Sequence, residues 1–285
     1  MSFDVLVFLA APFAACLVLV GILGYFGLHV LLREVIFVDL ALAQIAALGT
    51  VVAFAAGHSP SSRAAFLYSL TATVLGAAIF TVTRRRKGAA VPQEAIIGIT
   101  YVIASAAAIV VADRAPEGAE HIKELLAGTI LWVSWGEVAR QLAVAAVVGL
   151  FHWFFRRRFL RISEDAEAAA AEGISVRFWD FLFYLSFGLV ITVAVSVAGV
   201  LMVFAYLVAP AIIALGTSRR WGARIVLAWT AGALASALGL LSSYGWDFPS
   251  GPAVVCALGL FLVLYGGWRG VRSRLGRRPA PAPSG

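Results

Sequence analysis

An all-α bundle of membrane-spanning helices is the fold class this sequence predicts, and three observations carry it. Hydrophobic residues make up 62% of the 285 residues and charged residues only 13%, against roughly 25% charged in an average soluble domain. The apolar residues fall into runs of about 20, the length that crosses a ~30 Å hydrocarbon layer. The basic residues gather in alternate connections between those runs, the pattern of a chain threaded repeatedly through a bilayer.

Nine spans are expected, at about 5–28, 35–56, 64–83, 94–112, 138–155, 180–197, 200–217, 224–243 and 252–269. The count becomes eight or ten if span one or span five is misread. Span one has no A-x-A cleavage site behind a short apolar core, so it reads as a span and not a removed signal. Span two follows Arg33 and Glu34 and carries Asp39 and Gln44. Span three runs into Arg84-Arg85-Arg86-Lys87, and span four opens on Glu94. The next connection, 113–124, is acidic, with Asp113, Glu117, Glu120 and Glu124 around His121. It reads either as a solvated loop or as a surface that meets a cation or a delivery protein. Segment 125–137 is apolar but too short to cross, and Trp132 and Trp135 suit the membrane interface.

Between spans five and six the pattern changes. Ser163 is placed to cap a helix, Glu164 and Asp165 suit its first turn, and the alanine-rich run to Glu172 favours helix until Gly173 stops it. Span six opens on Asp180. Span seven contains Pro210, where a kink is expected because proline removes a backbone hydrogen bond. Span eight carries small residues at helical spacing, Gly232/Ser236 and Ala235/Gly239, that allow close helix packing. Cys16 and Cys256 lie in apolar runs and read as core residues. Residues 1–278 form a single transmembrane domain, and 279–285 (Pro-Ala-Pro-Ala-Pro-Ser-Gly) read as a disordered tail.

Eighteen of the 22 lysines and arginines lie on one side of this nine-span layout. That side is expected to be the cytoplasm, with the N-terminus outside and the C-terminus inside. The net charge of +7 therefore reports topology and not nucleic-acid binding. No H-E-x-x-H, G-x-S-x-G or P-loop motif occurs, so metalloprotease, serine hydrolase and P-loop ATPase chemistry are not expected of this chain. The four histidines, His29, His58, His121 and His152, lie on different segments and read as interfacial residues. Ionisable residues inside spans are rare and costly. Asp39 is the deepest of them, either a pathway residue or a structural partner of Arg33. Glu94 and Asp180 sit nearer the surface, within reach of water or a helix N-terminus.

Several segments, in order, resemble the permeases of zinc, manganese and iron ABC importers along nearly the whole chain. They are Arg33 to Gly49, Glu94 to Tyr101, Leu125 to Ser134, the Glu164 to Gly173 helix followed by Asp180-Phe-Leu-Phe-Tyr, Gly199 to Ala214, and Asp247-Phe-Pro-Ser-Gly-Pro. The resemblance implies a type II ABC importer-like fold in a bacterial inner membrane, a homodimeric or paired permease, two cytosolic ATPase subunits and an extracytoplasmic metal-binding protein. It makes a divalent metal ion the cargo, with no cofactor bound by the chain. It assigns Ser163, Glu164, Asp165, Glu172 and Gly173 to coupling with the ATPase.

Family members place a histidine four residues after the span-two aspartate. Here that residue is Ala43, and Gln44 follows. Five residues turn a regular helix by about 500°, which leaves Asp39 and Gln44 ~140° apart. Two expectations follow: a π-bulge that brings both to the pathway, or a regular helix in which Asp39 faces it alone. The rival functional classes are a secondary transporter driven by an ion gradient and an intramembrane enzyme.

Overall fold

The computed structural model describes residues 3–59, 62–84, 90–113, 128 and 130–275. These form α1 (Phe3–Leu32), α2 (Val38–Ala55), α3 (Arg63–Val82), α4 (Gln93–Ala112), α5 (Trp135–Phe154), α6 (Arg156–Glu164), α7 (Ala166–Ala171), α8 (Val176–Thr217), α9 (Trp221–Trp246) and α10 (Ser250–Leu275), with a 3-10 turn at Ile130–Trp132. No strand occurs among the described residues.

Seven of these helices are long and apolar enough to cross a membrane, and the count is eight if the α5–α6 pair, bent by 76°, is one broken span. Helix α5 falls short by itself because Glu137, Arg140 and Gln141 occupy its first turns. The expected nine are not established by this count. The difference lies in α8, which is 42 residues long and carries non-helical backbone at Gly199 (φ 76, ψ 160). A straight helix of that length would span roughly 63 Å, about twice the hydrocarbon core. Both ends of α8 instead lie beside the same end of α1. Asp180 near its start pairs with Arg33, while Trp221, just past its end, sits 5.0 Å from His29. The chain therefore folds back at Gly199 into limbs 176–198 and 200–217, as the sequence pattern anticipates. Only glycine adopts such dihedrals without strain. Gly128, also at positive φ, seals the bend: a side chain there would collide with the Ala198 carbonyl. The backbone dihedrals are helical through Pro210, and the break in those of α8 lies at Gly199.

Helix α1 packs against both limbs of α8 and against α9. Phe26 lies 4.8 Å from Phe187 and 5.4 Å from Phe183. Gly232 seats Val20, and Gly239 abuts the Val254 backbone, so the small residues of the eighth expected span pack as anticipated. Lipid is as apolar as these side chains, so close packing and hydrogen bonds, not water exclusion, hold the helices together. Val82, Val110, Phe154 and Val263 project from the surface, as lipid-facing side chains do. Cys16 is buried but Cys256 is exposed, which corrects its expected core position. The acidic segment beyond Asp113, with His121, and the tail 279–285 lie outside the described residues.

Candidate functional site

At one end of the bundle the terminal turns of several helices converge on a buried charge cluster. Asp180, in the first turns of α8, is completely buried. Arg33, just past α1, donates from Nη1 to Asp180 Oδ1 at 2.7 Å, and Arg84, just past α3, pairs with the other carboxylate oxygen. The Arg33 guanidinium also lies 3.9 Å from the centroid of the Phe183 ring. Two cations around one carboxylate offset the desolvation that each charge would otherwise suffer. The structural alternative weighed for Asp39 had it pairing with Arg33. The arginine is taken by Asp180 instead.

The connection from α1 to α2 is stiff. Val35 N–H donates to Val30 carbonyl at 3.2 Å and Glu34 N–H to Leu31 carbonyl at 3.3 Å, the Schellman pattern. Its left-handed position is filled by Glu34 (φ 58), an uncommon place for a residue with a Cβ. Glu94 at the start of α4 accepts from Ile36 N–H at 2.9 Å. The carboxylate expected to be satisfied by water or a helix N-terminus is thus tied to the connection, two residues before α2 begins.

Helices α6 and α7 form a short hairpin unit at this same end. Asp165, not Ser163, is the N-cap of α7: its Oδ1 accepts from Glu167 N–H at 3.1 Å and Ala168 N–H at 2.9 Å. Ser163 lies in the last turn of α6 and points into the bundle, where it is buried. Its hydroxyl accepts from Arg33 Nε at 2.8 Å and bonds His29 Nδ1 at 2.7 Å. Glu164 accepts from the Trp221 indole N–H at 2.7 Å. Gly173 (φ 82) ends α7: its N–H donates to the Ala170 carbonyl and that of Ile174 to Ala169, each at 3.0 Å. Arg161 grips Glu172 through both carboxylate oxygens, with Nε at 2.9 and 3.0 Å. That grip holds the Glu172 carboxyl below its usual range. Of the five residues assigned to coupling, Ser163 thus faces inward, while Glu164, Asp165, Glu172 and Gly173 are exposed.

Two histidines that sequence reasoning placed at the interface are core residues. His29 and His152 are both buried. His152 bonds Tyr25 at 3.2 Å and Ser186 at 2.8 Å, and its ring stacks on Phe159 of α6 at 4.1 Å. The signal that could have found them is positional: both lie in the last turns of helices that end at the arginine-rich end.

In the second span the structure separates the two expected pathway residues. Helix α2 is a regular α-helix from Val38 to Ala55, so no π-bulge realigns them. Asp39 is buried and neither carboxylate oxygen has a hydrogen-bond partner among the described residues. Gln44 lies on another face and is partly exposed. No group of three or more metal-binding side chains occurs among the described residues. Asp39 is a buried acceptor suited to a hard cation or a proton, and Gln44 does not share its face of α2.

The arrangement thus has three parts: a surface unit, a buried charge node that ties it to helix ends, and an unpartnered carboxylate in the first turn of α2. Comparisons with known proteins give these parts a context. The manganese transport system membrane protein MntC of Halalkalibacterium halodurans is 27% identical over 269 residues, covering 90% of each chain. The chelated iron transport system membrane protein YfeD of Yersinia pestis is 27% identical over 179 residues, covering 63% of this chain and 60% of that one. Among solved structures, PsaBC from Streptococcus pneumoniae in complex with Fab has a chain that superposes with a TM-score of 0.75 at 25% identity, over 92% of this chain and 93% of that one. A family model, the ABC 3 transport family, matches residues 6–266. Because that match runs from α1 into α10 and includes the α6–α7 unit, the chain belongs to the ABC 3 transport family.

Proposed function

We propose that this chain is the membrane-spanning permease subunit of an ATP-driven importer for a divalent metal ion: zinc, manganese or iron. The observation that carries this reading is the family match over residues 6–266, joined by the near full-length likeness to a manganese transport system membrane protein. In this reading two permease subunits, as a homodimer, enclose the pathway, and a dimer of cytosolic ATPase subunits hydrolyses ATP. An extracytoplasmic metal-binding protein delivers the ion. The chain holds no cofactor of its own, and the metal is cargo. Lipid surrounds the bundle, and nucleic acid has no part.

The protein sits in the bacterial inner membrane with its N-terminus outside and its C-terminus in the cytoplasm. The arginine-rich helix ends support this orientation: Arg33, Arg84, Arg156, Arg177, Arg219 and Arg269 all belong to the end that holds α6 and α7. Basic residues favour the cytoplasmic side. The α6–α7 unit then faces the ATPases, and Asp39 is the pathway residue. Binding-protein docking outside and ATPase closure inside alternately open the pathway.

Uptake of radioactive manganese tests this reading in cells deprived of their own importers and supplied with the chain, its ATPase and its binding protein. Uptake is expected to require an ATPase competent for hydrolysis. Asp39→Ala is expected to lower it by about tenfold or more, the scale of losing a metal-site group. Uptake that survives ATPase inactivation but collapses with the ion gradient makes the chain a secondary transporter. Undiminished uptake by Asp39→Ala removes Asp39 from the pathway.

A further inference from the structure

The covalent joints of the α6–α7 unit are poor levers. The chain bends by 76° between α5 and α6, and it leaves α7 through Gly173 in a left-handed turn. Movement of the unit is absorbed at such joints. The unit is nevertheless fastened to the bundle by side chains: Phe159 stacked on His152, Glu164 held by Trp221, and Ser163 bonded to both His29 and Arg33.

The Ser163 contact leads furthest into the molecule. Arg33 is anchored on its far side by Asp180, which Arg84 also grips. Arg33 opens the connection to α2, where the Val35 and Ile36 amides are tied to the Val30 carbonyl and the Glu94 carboxylate. A connection pinned at that many points moves as a body. Asp39 lies in the first turn of the helix that it starts.

We propose that Ser163 is a positioning residue: its hydroxyl links the α6–α7 unit through Arg33 to the 33–37 connection, and so sets the position of α2 and Asp39 when the unit is displaced. The link runs through the Arg33–Asp180–Arg84 node, so displacement reaches the ends of α1, α3 and α8 together. Ser163 touches neither cargo nor ATPase. It is buried against α1, while the exposed residues Glu164, Asp165, Glu167 and Glu172 form the outer face of the unit. The functional consequence rests on the importer reading; the mechanical link does not.

Two measurements on Ser163→Ala decide it. This change removes one hydroxyl and leaves the Arg33–Asp180 pair in place. In the purified chain in detergent, hydrogen exchange at the Val35 and Ile36 amides is expected to quicken by about tenfold, the sign of a loosened local unit. In proteoliposomes holding the complete transporter, manganese taken up per ATP hydrolysed is expected to fall by about tenfold, because the ATPases still turn over while α2 no longer follows. A ratio equal to that of the parent protein overturns the proposal, whether uptake and hydrolysis are both intact or both reduced. Unchanged exchange at Val35 and Ile36 overturns it as well. If the parent protein itself shows no ATP-dependent uptake, the importer reading fails, and the exchange measurement still decides the link.

Discussion

Asp180 and Asp39 begin from the same premises and end in opposite circumstances. Each stands in the opening turns of a membrane helix at the arginine-rich end, where the helix dipole favours negative charge, and each is buried. Asp180 is held by Arg33 and Arg84. Asp39, much closer to Arg33 in sequence, has no hydrogen-bond partner for either oxygen among the described residues. The left-handed turn at Glu34 lies between Arg33 and Asp39 and redirects the chain. Nearness in sequence is therefore no guide to pairing. A paired buried carboxylate holds structure together, whereas an unpaired one is costly to keep and points to a role in function.

The contrast is tested most severely at Asp180. Asp180→Asn leaves the buried Arg33 guanidinium beside the half-buried one of Arg84, and breaking a buried ion pair costs about 3–5 kcal/mol. Little folded protein should survive detergent extraction. A melting temperature like that of the parent would mean that the node does not support the fold.

A smaller loss is expected from Arg84→Gln, because the Arg33–Asp180 pair survives it. Removing one charged hydrogen-bond partner here should cost about 1–2 kcal/mol, read as a lower midpoint of thermal unfolding. A loss equal to that of Asp180→Asn would make Arg84 the principal partner and Arg33 the auxiliary one.

The exposed pair Arg161–Glu172 sets the scale for a carboxylate paired in water. Its lowered carboxyl stabilises α6–α7 at neutral pH. That contribution is complete above the ordinary glutamate range and is lost as pH falls through the lower value in the folded protein. Glu172→Gln should lower the melting temperature by about 1 °C or less at pH 7, since surface pairs contribute little. The difference from the parent should vanish in acid. A difference that persists below the glutamate range would place the effect in packing and not in charge.

The smallest change in stability is expected at Asp39, the carboxylate that a simple burial argument would rank beside Asp180. Asp39→Asn replaces an unpartnered buried carboxyl by an amide of the same size, so the melting temperature should stay within about 1 °C of the parent or rise. A fall as deep as that of Asp180→Asn would show that Asp39 has an ionic partner after all and would erase the contrast.

Much of this was legible beforehand, and the failures share a cause. Apolar run lengths located the helices within a few residues, and the expected spans 180–197 and 200–217 already divided the long 176–217 stretch. The stop at Gly173 was legible because a helix end satisfies its carbonyls locally, within a few residues of chain. The cap was misplaced by two residues, from Asp165 to Ser163, because both side chains can accept from a helix N-terminus. Ser163 was diverted by a partner 130 residues away in sequence. His29 and His152 were read as interfacial for the same reason. Composition says that a histidine is polar; it does not say that Ser163 and Ser186 will meet it inside the bundle.

The sequence by itself thus determined the membrane class, the helical segments, the arginine asymmetry and the family. These depend on hydrophobic length, local backbone chemistry and residue order, which are properties of the chain read in one direction. The tertiary structure alone decided that Arg33 belongs to Asp180, that Ser163 faces inward, and that Asp39 and Gln44 part on a regular helix. The first two of those outcomes depend on which side chains the helix packing brings to a buried charge or donor. In a low-dielectric interior that pairing is worth more than any local preference, and it is settled by the packing of helices far apart in the chain.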